Sequence, residues 1–98
     1  MAENRIDYNT LEATGKSYKE KSDEIMDIVS TLTSTVDDFQ NGVQNETSKA
    51  FVTKYETEYK PALEKAAEAL SSVSEFMTKY AAEIREMDIH IAHGISGS

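Results

Sequence analysis

The feature that most constrains this chain is an unbroken alternation of three- and four-residue steps between apolar or small residues. It runs Leu11, Gly15, Tyr18, Ser22, Ile25, Val29, Leu32, Val36 and Phe39. Such spacing averages 3.5 residues, so every member falls on one side of an α-helix; a strand, with period two, would scatter them over both faces. The stretch Ser30-Thr31-Leu32-Thr33-Ser34-Thr35-Val36 is poor helix material, because threonine and valine lose rotamer freedom there. The stripe nevertheless passes through it in phase. One long helix over about residues 9–39 is predicted. Asn9, with Glu12 three residues on, can cap its start, and Asp7 is a rival cap. Gly15 and Ser22 either let a neighbouring helix come close or, for Gly15, weaken the first turns by about 1 kcal/mol.

Phe39-Gln40-Asn41-Gly42 ends this helix. Asn41 and Gly42 are the residue types that best tolerate the left-handed conformation of a helix C-terminus. Asn-Gly also signals a tight β-hairpin, but no alternating strands flank it. The turn is placed at about residues 40–45, and Asn45 or Thr47 can cap a second helix over about residues 46–92. Its stripe runs Val52, Tyr55, Tyr59, Leu63, Ala66, Leu70, Val73, Met77, Tyr80, Ile84, Met87 and Ile91. The phase slips once, at the two successive four-residue steps from Tyr55 to Leu63, and Pro61 lies inside the slip. Proline deprives the Thr57 carbonyl of its helical donor. A kink within one helix, or a break into two, is expected there. Opposite charges four apart, among them Glu12–Lys16, Lys19–Asp23 and Lys60–Glu64, support both helices. The predicted fold is all-α: a single domain over residues 1–98, built as an antiparallel two-helix hairpin.

A lone hairpin leaves apolar flanks open. Ile25, Met26, Ile28 and Val29 widen the first helix's face, and Phe51, Ala62, Ala67, Phe76, Ile89 and Ile95 widen that of the second. Soluble monomers seldom leave such a surface bare. Pairing into a four-helix bundle follows, with a second copy or another small helical protein. The packing and interface positions are Leu11, Tyr18, Ile25, Val29, Leu32, Val36, Tyr55, Leu63, Leu70, Val73, Met77 and Met87.

Composition excludes several functions. The net charge is −8, with acidic residues spread along both halves. Nucleic-acid binding is disfavoured because it needs a basic patch. There is no cysteine, which rules out disulfides, thiolate metal sites and cysteine nucleophiles. No run of about 18 apolar residues is present to span a membrane, and the N-terminus lacks an apolar signal core. Glu86, His90 and His93 share a helix face and could bind zinc, but equally form a polar stripe near a helix end. The carboxylates Asp37-Asp38 and Glu56/Glu58 lie on helix surfaces and imply no cleft. An aromatic ligand box of Tyr18, Tyr55, Tyr59 and Tyr80 competes with ordinary packing. No phosphate loop, nucleophile elbow or metalloprotease motif occurs. No enzyme, no cofactor and no metal are expected.

From Ile6 to about Ile91 the layout resembles the Trp-x-Gly (WXG) motif family of small type VII (Esx) secretion proteins, the early-secreted-antigen-like hairpins. Ile6-Asp7-Tyr8-Asn9-Thr10-Leu11 looks like that family's lead-in. Phe39 stands where its tryptophan would be, and Asn41 or Gly42 where its glycine would be. The family's export signal, Tyr-x-x-x-Asp/Glu, is echoed at Tyr80, Ile84 and Asp88: Tyr80 is followed four residues later by Ile84, and Asp88 is preceded by that same Ile84. The resemblance implies a non-enzymatic protein, cytoplasmic before export and then secreted without a cleaved signal peptide. It is either a secreted substrate or a targeting partner. In lacking the tryptophan of the turn, the chain resembles the subgroup of small hairpins without Trp-x-Gly, targeting or chaperone partners that bind the N-terminal helical domain of larger secreted Leu-x-Gly toxins. A coiled-coil adaptor unrelated to secretion is the alternative that the residues alone leave open.

Overall fold

The computed structural model describes the backbone of residues 6–96 and the side chains of residues 6–87. Two long helical arms lie antiparallel. The first is α1, Tyr8–Gly42. The second runs without interruption through α2, Glu46–Lys54, a π-helical turn, Tyr55–Tyr59, and α3, Lys60–Ser96. The molecule is a rod of 78 × 24 × 18 Å. Its radius of gyration is 22.2 Å, against about 13 Å for a compact domain of this length.

Local chemistry sets the ends. Asp7, and not Asn9, caps α1: its carboxylate accepts from the Thr10 amide at 3.2 Å. These amide contacts hold the Asp7 carboxyl below its ordinary 3.8. Helix α1 also runs past Phe39. Asn41 and Gly42 form its last turn in helical geometry, since no described residue has a positive φ. The chain leaves the helix at Val43, whose extended backbone (φ −133°, ψ 99°) still lets its N–H reach the Phe39 carbonyl at 2.9 Å. The left-handed cap expected of Asn-Gly is thus replaced by an extended exit, and the connection is residues 43–45. Asn45 then caps α2. Its side chain accepts from the Ser48 amide at 2.8 Å, and the Ser48 hydroxyl closes a capping box on the Asn45 amide at 3.1 Å.

The threonine-rich segment of α1 is helical and tied down by its hydroxyls. Thr35 donates back to the Thr31 carbonyl at 3.0 Å, and Thr33 meets the Tyr55 hydroxyl at 2.8 Å. Tyr55 in turn donates to the Val29 carbonyl at 3.3 Å.

The π-turn explains the slip in the second stripe. Lys60 N–H bonds to the Tyr55 carbonyl, five residues back. The wider turn absorbs one extra residue immediately before Pro61, where an α-helical ladder would lose a donor anyway. Eight residues therefore make two turns from Tyr55 to Leu63. Both stay on the inward side, while Tyr59 is carried outward.

The arms approach closely where side chains are small. A methyl group added to Gly15 would lie 3.3 Å from Met77 Cβ and 3.4 Å from the Ser74 carbonyl. Ser22, buried, donates to the Ala67 carbonyl at 2.7 Å. At the open end Arg85 spans the arms: its guanidinium lies 4.6 Å from the Tyr8 ring centre and 3.5 Å from Glu12. Of the expected four-residue charge pairs, Lys19–Asp23 closes at 3.1 Å, whereas Lys60 turns to Glu56 and Glu12 to Arg85.

Candidate functional site

The α1 stripe divides in two. Gly15, Ser22, Val29 and Val36, seven residues apart, are buried against the second arm. The interleaved set, Leu11, Tyr18, Ile25, Leu32 and Phe39, is only partly covered. The second arm divides likewise. Ser48, Tyr55, Ala67 and Ala81 are buried, and Leu63, Leu70, Met77 and Ile84 are half-buried beside them. Tyr59, Ala66, Tyr80 and Met87 are exposed along the neighbouring flank, with Val73 half-buried among them. The hairpin thus uses one half of each stripe and turns the other half to one common side. Phe76 and Met87 on that side are 63% and 61% exposed.

Near the turn this side deepens into a groove of about 530 Å³. Leu32, Thr35, Val36 and Phe39 form one wall, and Phe51, Tyr55, Tyr59 and Leu63 the other. No charged side chain lines it. Phe39 and Phe51 meet edge-to-face at 5.4 Å across its end, which joins the turn of α1 to the start of α2. Farther along, Phe76 and Tyr80 stack at 5.9 Å on the surface. The opposite side of the hairpin is polar: its hollows are lined by Ser22, Met26, Glu64, Ala67, Glu68 and Ser71, and by a second set that includes Lys19, Glu75 and Lys79.

The residues singled out by sequence fall into three groups. Val29, Val36 and Tyr55 are buried in the hairpin. Leu11, Ile25, Leu63, Leu70, Val73 and Met77 are half-covered. Tyr18, Leu32, Phe39 and Met87 are exposed. Two assignments are corrected. Met26, expected on the apolar flank, lines a hollow of the polar side, because one residue beyond Ile25 is about 100° farther around the helix. Ala67, expected as spare apolar surface, is buried at the arm contact. Tyr55 and Tyr59 share the groove, but Tyr18 and Tyr80 do not line it, so the four tyrosines form no common box. Asn41 and Gly42 are exposed in the last turn of α1, Tyr80 is exposed and Ile84 half-buried. The side chains of Asp88, Ile89, His90, Ile91, His93 and Ile95 lie outside those described. Among the described residues no cluster of metal-ligating side chains occurs, and no helix is long and apolar enough to cross a membrane. Sequence reasoning missed Ser48, Ala81 and Arg85. A heptad of small residues at Ala67, Ser74 and Ala81 was the available signal for the second arm's inner line.

Residues 3–89 match the family model described as proteins of 100 residues with WXG. The chain belongs to the WXG100 family. It is accordingly a small protein of the type VII secretion WXG class. Its structure is similar to that of EsxA from Geobacillus thermodenitrificans, with a TM-score of 0.77 and 24% identity over 90% of this chain and 95% of that one. None of the curated proteins matches the sequence. In this WXG100 chain Phe39, at the position compared above with the family's tryptophan, packs on Phe51 at the groove's end.

Proposed function

We propose that this WXG100 protein is a non-enzymatic type VII secretion component that acts by laying its apolar side on another helical chain. The observation that carries this reading is the continuous half-used stripe, ending in an uncharged groove, on a chain of this family. A surface of that size and composition is what soluble proteins bury in an interface. The partner is a small helical hairpin or the N-terminal helical domain of a larger toxin, and the complex is handed to the secretion machinery. The protein is cytoplasmic until export and leaves without a cleaved signal peptide. Tyr80, Ile84 and Asp88 act as the export or targeting element.

A secretion assay tests this. In a secretion-competent strain the tagged chain is expected in the medium, alone or with a co-purifying helical partner. Substituting Tyr80 and Asp88 together should abolish export or partner recovery. A chain that stays in the cytosol while a known substrate of the same system is exported, and that recovers no helical partner, sinks the reading. The coiled-coil adaptor alternative predicts self-association with no change of location in the Tyr80 and Asp88 variant.

A further inference from the structure

Arg85 sits where the first arm begins. Its guanidinium lies 4.6 Å from the centre of the Tyr8 ring and 3.5 Å from the Glu12 carboxylate. Tyr8 and Glu12 are one helical turn apart, so α1 offers it an aromatic face and a negative charge side by side. Among the described residues the other ion pairs join neighbours within one arm, and this one joins the two arms. Arg85 also marks a boundary on α3. Ala81, one turn before it, is buried, Ile84 is half-buried, and Glu86 and Met87 are exposed. Tyr8 is the first residue of α1, whereas the backbone of α3 continues to Ser96, about 16 Å beyond Arg85. Apolar cover is thin at this end, where Tyr80 and Met87 are exposed. A directional contact therefore sets the placement of the two helices there to a degree that burial does not.

We propose that Arg85 is a positioning residue for the export or targeting element. This deepens the functional reading above and rests on it. Tyr80, Ile84 and Asp88 recur every four residues along α3, and Arg85 falls between the last two. Clasped on Tyr8 and Glu12, Arg85 pins the stretch that carries the element to the first turns of α1. It thereby fixes the direction in which the outer end of α3 leaves the hairpin. A guanidinium suits this task, because it is planar, stacks on a ring and carries its donors in a rigid fork. It can hold Tyr8 and Glu12 at once. An ammonium would satisfy Glu12 but has no plane to lay on Tyr8. Without the clasp, a helix end with few apolar contacts opens at low cost. A receptor for the element would then have to order those turns as it binds, which lowers affinity.

Amide hydrogen exchange on the purified chain tests the clasp. Arg85→Gln should speed exchange at residues 83–87 by roughly three- to tenfold, the size expected for one exposed ion pair plus one cation–π contact, and leave the Ser22–Ala67 region unchanged. Tyr8→Leu combined with Glu12→Gln should do the same, and Arg85→Gln on that background should add nothing. Swapping the charges, Glu12→Arg with Arg85→Glu, keeps an ion pair and sets a guanidinium one turn from Tyr8, so slow exchange should return. In the export assay Arg85→Gln should lower export or partner recovery several-fold at an unchanged thermal midpoint, and the swap should restore it. Unaltered exchange in Arg85→Gln, or effects of Arg85→Gln and of the Tyr8 and Glu12 pair that simply add, overturns the clasp. Faster exchange with normal export of Arg85→Gln overturns the positioning role alone. Normal export and partner recovery of the Tyr80 and Asp88 variant overturns the reading of that element, and the positioning role with it, while the clasp stands or falls on exchange.

Discussion

At the scale of single residues, the hairpin is held by groups that are small or locally satisfied. Gly15 lets the arms close until a β-carbon would meet Met77 at 3.3 Å. Gly15→Leu should therefore lower stability by about 1–3 kcal/mol through overpacking, read as a drop in thermal midpoint. Gly15→Ala should change it much less, because better helix propensity offsets a contact of a few tenths of an ångström. Asp7 gives a pH signature. Its carboxyl is held low chiefly by the Thr10 amide, then by a further hydrogen bond to Thr10. The folded value lies below the unfolded one, so its contribution is present above about 3.8 and is lost as pH falls through the lower folded value. Acidification through that window should speed amide exchange at Thr10 and Leu11 before the middle of α1 responds, and Asp7→Asn should flatten the dependence.

At the scale of elements, the π-turn keeps the two halves of the second arm in register. Deleting Glu58 would restore an α-helical count of seven residues to two turns and keep Tyr55 and Leu63 in phase, whereas inserting one alanine after Glu58 would rotate one half of the arm by about 100° against the other. Either Tyr55 leaves its bonds to Thr33 and Val29, or Leu63 and Ala67 leave α1. The insertion should therefore cost far more stability than the deletion, as judged by chemical denaturation. The two-arm hairpin was legible because Leu11 to Phe39 keep one phase, and the phase slip at Tyr55–Tyr59–Leu63 marked where the second arm departs from α-helix. What spacing could not show was which members of each stripe face the other arm. A 3.5-residue period names a seam wide enough for two neighbours, and Val29 and Leu32 read alike in sequence although one is buried and the other exposed. The inner line at Ala67 and Ala81 was hidden because alanine carries little hydrophobic signal. The extended exit at Val43 was hidden because Asn-Gly permits a left-handed cap without requiring one.

At the scale of the molecule, a long rod with a half-used stripe has stability that depends on what covers it. Binding to the folded form alone stabilises by mass action. Where a second copy covers that side, the thermal midpoint should therefore rise with protein concentration, and Tyr18→Asp should abolish that rise by placing a charge on the apolar side. A midpoint independent of concentration in the unmodified chain would show that the face contributes nothing through self-association. The rod's outline has a further consequence. At 24 × 18 Å across and 78 Å long, the hairpin presents end-on only the profile of two helices side by side. The bore needed to pass it folded is thus set by the thickness of a helix pair, and lengthening the chain at its ends would leave that bore unchanged.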